Sequence, residues 1–282
     1  MKFANDLLQL SRPQFGQTIV WLLLVFCLVL AALPPNYVDG ERIRPATVIS
    51  FLPDTLLAST TFYHVMRIVL CVAAILWAFR VLIPWSCWAT TLGFTIIWAL
   101  RMENSFGAAH IFNVTNMLLV IHAMWFHFYR REICDSLVAR SLWQSAVYPR
   151  WAFLLSVFYI GFYHSLAGVS KLRYSGLDWG DGLSLQLWVH LWGWEYSPFG
   201  SMILSSRKVA TVVQSSALFF ETAAVLAVTF PKLRVFIGLG LLGFYAGVLG
   251  TFVDFGFHFN AILVAVFLLP VEPMLRRRYP VA

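Results

Sequence analysis

The stretch Thr18–Leu33, TIVWLLLVFCLVLAAL, decides the fold. It carries no charged residue and is closed by Pro34-Pro35. A helix of about 20 apolar residues crosses the hydrocarbon layer of a bilayer, and inside that layer the backbone must satisfy its own hydrogen bonds. The run therefore predicts a membrane-spanning helix. The same signature recurs at Phe62–Ile83, Ser86–Met102, about Ala108–Tyr129, Trp151–Ser170, Val209–Phe230, about Val235–Val253 and about Gly256–Pro270. The expectation is an all-α, polytopic bundle of about eight transmembrane helices, a single membrane domain over residues 1–282. A cleaved signal peptide is the alternative reading of residues 1–33. No clear small-residue cleavage site follows the run, so it is expected to be a retained first span.

Composition agrees. Of 282 residues 60% are hydrophobic and only 12% charged, against about 25% charged in soluble domains. The mean hydropathy is +0.76. This excludes a disordered chain, a nucleic-acid-binding tail protein and an ordinary cytosolic enzyme, and leaves no room for a sizeable soluble domain. The net charge of +7 belongs to topology and implies no nucleic-acid partner. Cys27, Cys71, Cys87 and Cys134 show no CxxC or metal-type spacing, so buried thiols are expected instead of a disulfide framework. Ala46–Leu57 is apolar but short and interrupted by Pro53, and should lie at the membrane interface.

Loop charges set orientation. With eight spans, one side holds Lys2, Arg12, Arg80, Arg130, Arg131, Arg140, Arg150, Lys232, Arg234 and Arg276 to Arg278. The other holds Arg42, Arg44, Arg101, Lys171, Arg173, Arg207 and Lys208. The richer side is cytoplasmic by the positive-inside rule. Both termini are then cytoplasmic, and residues 171–208 form an extracytoplasmic or half-inserted connection. Arg67 lies inside a span, close enough to its start to snorkel.

Ionisable groups within lipid are costly, so each is a candidate for function. His164 and Lys171 stand seven residues apart, two helical turns, on one face, with Ala167 and Gly168 between them. Lys171 is either a snorkelling anchor or a partly desolvated amine able to act as a general base. Glu221 falls near mid-membrane and needs a partner, for which Lys171, Arg67 and His164 are available. It is either functional or a structural glutamate that fixes helix packing. Asn113, Thr115 and Asn116 gather polar groups on the first turns of the fourth span, either bonding between helices or facing Lys171 across a polar cavity. His122 and His127 are five apart, poorly spaced for one metal, and no metal site is expected. Asp254, beside His258, either lines a cavity or caps the last helix. Trp179, Trp188, Trp192 and Trp194 form either an interfacial aromatic belt or part of a surface that handles a peptide.

Ala167-Gly168-Val169-Ser170-Lys171-Leu172, followed by Asp178-Trp179-x-x-Gly182-x-Ser184 and Ser197-Pro198-Phe199, resembles the motif region of the vitamin K-dependent gamma-carboxylase family. Its shorter bacterial relatives are the HTTM (horizontally transferred transmembrane) proteins. The likeness runs over roughly residues 105–270, with Glu221 and Gly256 at matching places. It implies an HTTM-like fold in a bacterial inner membrane. It implies Lys171 as the counterpart of the lysine regarded as the base that deprotonates reduced vitamin K. His110 or Asn113 would assist, since gapless counting favours Asn113 and a small loop shift favours His110. His164 would orient the amine, Glu221 would support the site electrostatically, and Trp179, Gly182 and Asn116 would meet substrate. The implied cofactor is a quinone-type lipid, and the implied partners are the bilayer and a secreted peptide or other membrane subunits. The B protein of sporulation-delaying toxin systems, a small relative, works in peptide maturation. The chain departs from the pattern at Ala246, where the family has a histidine, and the likeness does not extend to the carboxylase's large lumenal domain. A lysine-base enzyme or maturation factor and a non-catalytic subunit or scaffold are the two functional expectations. A small-molecule transporter has less support, because no inverted repeat is evident.

Overall fold

The computed structural model describes residues 10–11, 13–34, 49–103, 112–131, 148–252 and 257–269. The described chain is helical, apart from a two-residue antiparallel pairing of β1 (Leu10–Ser11) with β2 (Tyr148–Pro149). It divides into two compact units, residues 1–153 and 154–282. Among the described residues, four helices are long and apolar enough to cross a membrane: Phe15–Ala32, Thr60–Ala78, Arg150–Gly180 and Pro231–Thr251.

The first unit holds α1 (Pro13–Ala32), the single turn α2 (Asp54–Leu57), α3 (Thr60–Ala78), α4 (Trp85–Glu103) and α5 (Asn113–Phe128). Ser59 starts α3 by accepting the amide of Phe62 at 3.2 Å, the usual use of a serine before a helix. The apolar run that predicts a helix to Ile83 stays helical only to Ala78. Arg80 and Leu82 then take left-handed backbone angles, and the buried Arg80 guanidinium donates to Gln17 Oε1 at 2.7 Å. The last carbonyls of α1 have no partner within their own helix. Arg67 donates to Ala31 O, the Tyr63 hydroxyl to Leu33 O at 3.1 Å, and Arg101 to Pro34 O at 2.6 Å. Two cations thus stand at the negative end of α1's dipole. Arg67 thereby caps a neighbouring helix. The core of this unit is aromatic. Trp77 meets Phe126 edge-on at 5.6 Å, and Trp125 meets Tyr148 at 4.8 Å.

The second unit begins in the first turn of α6 (Arg150–Ser175), which runs on through a 3-10 turn, Gly176–Gly180. Then come α7 (Leu183–Trp192), α8 (Pro198–Ser205), α9 (Arg207–Ala223), α10 (Leu226–Thr229), α11 (Pro231–Thr251) and α12 (Phe257–Leu268). Ser197 and Ser206 start α8 and α9 by accepting the amides of Gly200 and Val209 at 2.9 and 3.4 Å. The run Val209–Phe230, expected to be one helix, is broken after Ala223. The Ser165 hydroxyl of α6 enters the gap, donating to Thr222 O at 2.8 Å and accepting from Val225 N at 2.9 Å. A side chain inserted into the ladder is a known cause of such breaks.

Candidate functional site

The site lies on α6, where the apolar run ends at Ser170 but the helix does not. Lys171 sits inside continuous helix, with its end at Ser175 and the 3-10 turn beyond it. The change from apolar to polar composition does not end the helix, since lysine, leucine and arginine are good helix formers. Lys171 Nζ donates to Glu221 Oε2 of α9, with side-chain exposures of 26% and 6%. The amine also stands over the Trp179 ring at 4.5 Å and the Phe244 ring at 5.9 Å, inside the range of cation–π attraction. Of the three partners open to Glu221 in the sequence, the carboxylate takes Lys171. Glu221 stands about 21 Å along α9 from Arg207, at 1.5 Å per residue.

Small residues make this pairing possible. A Cβ on Gly168 would meet the Thr222 amide nitrogen at 2.6 Å, and one on Gly161 would meet Ala224 O at 2.8 Å. Neither position tolerates a side chain without moving backbone. Gly161, Ser165 and Gly168 therefore form the stripe of α6 that seats against the break after Ala223 and sets the depth at which Lys171 meets Glu221. Close approach through small residues is how helices pack where burial of apolar surface gives no drive.

His164 lies two turns before Lys171 and is buried. Its Nδ1 bonds Ile160 O at 2.7 Å, and a carbonyl can only accept, so Nδ1 carries the proton. Nε2 is then the acceptor for the Tyr245 hydroxyl of α11 at 2.6 Å. The Asn260 side chain of α12 hydrogen-bonds Tyr245 in turn. Both nitrogens of His164 are thus engaged away from the Lys171 amine. Tyr245 is the residue that sequence reasoning missed. The signal was Tyr245 as a polar ring in the glycine- and leucine-rich α11.

Gly182 adopts φ +87°, a left-handed angle that favours glycine, and starts α7. A Cβ there would meet Thr211 N at 2.6 Å, so Gly182 fits the 3-10 turn against α9. Trp179, three residues earlier, is the member of the Asp178-Trp179-x-x-Gly182 string that reaches the amine. Asn113 and Asn116 belong to the first unit. Asn116 Oδ1 accepts from Thr95 Oγ1 at 2.8 Å, while Asn113 Oδ1 and Thr115 Oγ1 are buried without a hydrogen-bond partner. His110 and Asp254 lie outside the described residues, as does the side chain of His258. His122 is held between Leu118 O at 2.6 Å and the Tyr148 hydroxyl at 3.1 Å, and His127 Nδ1 accepts from Trp88 Nε1 at 3.4 Å. Among the described residues no three His, Cys, Asp or Glu side chains gather as metal ligands would.

The arrangement offers a buried carboxylate paired with a partly exposed amine beside aromatic rings, with a histidine locked on the same helix. In comparisons with family models, curated proteins and solved structures, the chain matches none.

Proposed function

We propose that the protein is an HTTM-like integral membrane protein of about eight spans, in which Lys171 and Glu221 exchange a proton with a substrate. The observation that carries this reading is the Lys171–Glu221 pair beneath Trp179. Leaving the buried Glu221 carboxylate without its counter-charge is unfavourable, so the pair is either a device for proton chemistry or a lock between helices. The string from Ala167 to Ser184, with its lysine, tryptophan and glycine, supports the first. The substrate class is a secreted peptide or a quinone-type lipid, reached from the extracytoplasmic side. The donor set suits a quinone-type lipid: a pair that can exchange a hydroxyl proton, and the Trp179 and Phe244 rings to lie against a flat ring. When bound, such a lipid supplies a redox-active hydroxylated ring. The chain's own residues hold it and manage the proton at its hydroxyl. Four apolar helices accord with membrane insertion. The eight-span reading would draw its further spans from the segments that hold α4, α5, α9 and α12, with both termini in the cytoplasm of a bacterial inner membrane.

A second reading, a non-catalytic subunit or scaffold, has its own support. Lys171 is neutralised by Glu221, and the Gly161–Gly168 stripe is fitted to α9, as a purely structural lock would be. One experiment separates the two. Wild type, Lys171→Ala and Lys171→Arg are expressed at equal level in a strain lacking its own copy, and secreted peptides and extracted quinone lipids are compared by mass spectrometry. The lysine-base reading expects a species made by wild type and lost in both variants. Identical spectra from all three contradict it and leave the scaffold.

A further inference from the structure

We infer that α7 lies flat in the membrane interface, with its Leu–Trp face resting on lipid. The inference builds on the membrane reading above and concerns a surface away from Lys171. Leu183, Leu187, Trp188, Leu191 and Trp192 are 50%, 56%, 63%, 60% and 73% exposed. At 100° per residue they fall on one half of the helix circumference, shared in the first turn with Ser184, which accepts from Gln214 Nε2 of α9, and no charge falls among them. The other half is committed to the protein. Val189 packs with Ile203 and Ala210, Leu185 packs beside them, and the Gln186 amide donates to the carbonyls of Ile203 and Leu204 at 3.0 and 3.3 Å. Water is a poor neighbour for five large apolar side chains on three turns, and a patch of this kind marks a membrane or protein contact.

Continuity identifies the occupant. The outward stripe of α6, a helix long and apolar enough to span, is Leu155, Phe158, Phe162, Leu166 and Val169. The stripe ends at the exposed Arg173, and beyond it the exposed Tyr174 and Leu177, with the exposed Asp178 between them and α7, lead along the chain to Leu183. A bilayer that covers the α6 stripe therefore meets the α7 face next. Depth follows from the charges. Ten residues rise about 15 Å, too short to span. The helix is bounded by charge at both ends, with Asp181 paired to Arg207 at 3.3 Å before it and Glu195 after it. A cavity of about 250 Å³ between α7 and α8 places His190, Glu195 and Ser201 at the end of the helix. Apolar face down and charged ends up is the pattern of a helix lying in the headgroup–acyl boundary, where tryptophan is favoured.

The surroundings keep α7 in place. Asp181 and Arg207 close the two feet of the α7–α8 hairpin, Thr211 Oγ1 donates to Asp181 O at 2.7 Å, and Trp194 N donates to Thr251 O at 2.8 Å at the end of α11. The hairpin thus bridges the start of α9 and the end of α11, on the side where Trp179 enters the site. Seating on lipid fixes the level of that entrance relative to the bilayer.

The test uses the full chain with its four cysteines replaced by alanine, in phosphatidylcholine–phosphatidylglycerol vesicles. Single cysteines carrying a nitroxide are placed at Leu166, Leu187, Leu191 and Glu195, all exposed positions. Accessibility to oxygen and to a water-soluble nickel chelate is read by power saturation. The inference expects Leu187→Cys and Leu191→Cys labels to favour oxygen several-fold, less than Leu166→Cys and opposite to Glu195→Cys. Nickel-accessible labels at both α7 positions place the face in water and overturn it. Labels shielded from both reagents place it under protein, a second copy or a bound peptide, and also overturn it. If the Leu166 label also favours nickel, the membrane reading itself fails.

Discussion

His122 and His164 are held in the same way, one in each compact unit. Each gives its Nδ1 proton to the carbonyl four residues back, and each receives a tyrosine hydroxyl at Nε2. The surroundings differ. His122 stacks on Tyr148 with an 18° angle between the rings, in an aromatic core with Trp125. His164 meets Tyr245 edge-on, and that tyrosine is bonded onward to Asn260. Two turns along the same helix stands the Lys171–Glu221 pair. A histidine locked to a tyrosine is therefore a structural device wherever it occurs in this chain. On the helix of His164 the Lys171–Glu221 pair adds charge to the lock, and function should follow the pair.

The largest expected effect comes from separating its charges. Lys171→Met alone leaves a buried carboxylate uncompensated and should cost about 3–5 kcal/mol, read as a fall in the unfolding midpoint in detergent. Glu221→Leu alone should act in the same direction. The double variant Lys171→Met/Glu221→Leu removes both charges and should recover most of that loss, since an apolar replacement of a whole pair is often neutral. Additive losses in the double variant would mean that the two side chains do not interact. Next in size, His122→Ala should cost about 3 kcal/mol through a lost buried ring and an unanswered tyrosine, with product per folded molecule unchanged. Loss of product in that variant would break the contrast between the two histidines.

Two smaller changes sharpen it. Tyr245→Phe strips a hydroxyl that serves His164 and Asn260 at once, and should cost about 1–3 kcal/mol. Tyr148→Phe leaves His122 Nε2 unanswered and should cost about 1 kcal/mol. Thermal midpoints in the reverse order would mean that the Asn260 bond contributes nothing. The smallest effect belongs to Trp179→Phe, which keeps a ring under the amine but a weaker one, and should cost about 0.5 kcal/mol of stability.

The helical architecture was legible because apolar runs must become helices in lipid, and α1, α3, α6 and α11 follow their runs closely. Their ends were less legible, for physical reasons that lie off the run. Ser170 ends the apolar composition, yet α6 continues to Ser175, because lysine, leucine and arginine carry a helix on without apolar neighbours. Val209–Phe230 reads as one span, yet Ser165 splits it from 57 residues away. The pairing of Lys171 with Glu221 was among the options that cost alone suggests, since a buried carboxylate seeks the nearest cation. The bond from His164 to Tyr245 joins residues 81 apart, and no local pattern encodes it. Gly182 was legible as a motif residue but not as the left-handed start of α7, because its need for glycine comes from Thr211 packed against it.

The central claim is that the Lys171 amine is held by Glu221 inside the second unit, and the chain's four lysines, Lys2, Lys171, Lys208 and Lys232, allow it to be tested directly. Timed acylation of the intact protein in vesicles, mapped by mass spectrometry, compares Lys171 with the exposed Lys208 and Lys232. The account predicts that Lys171 reacts at least several-fold more slowly, and that Glu221→Ala abolishes the difference. A Lys171 that reacts as fast as Lys208 in the wild-type chain would contradict it.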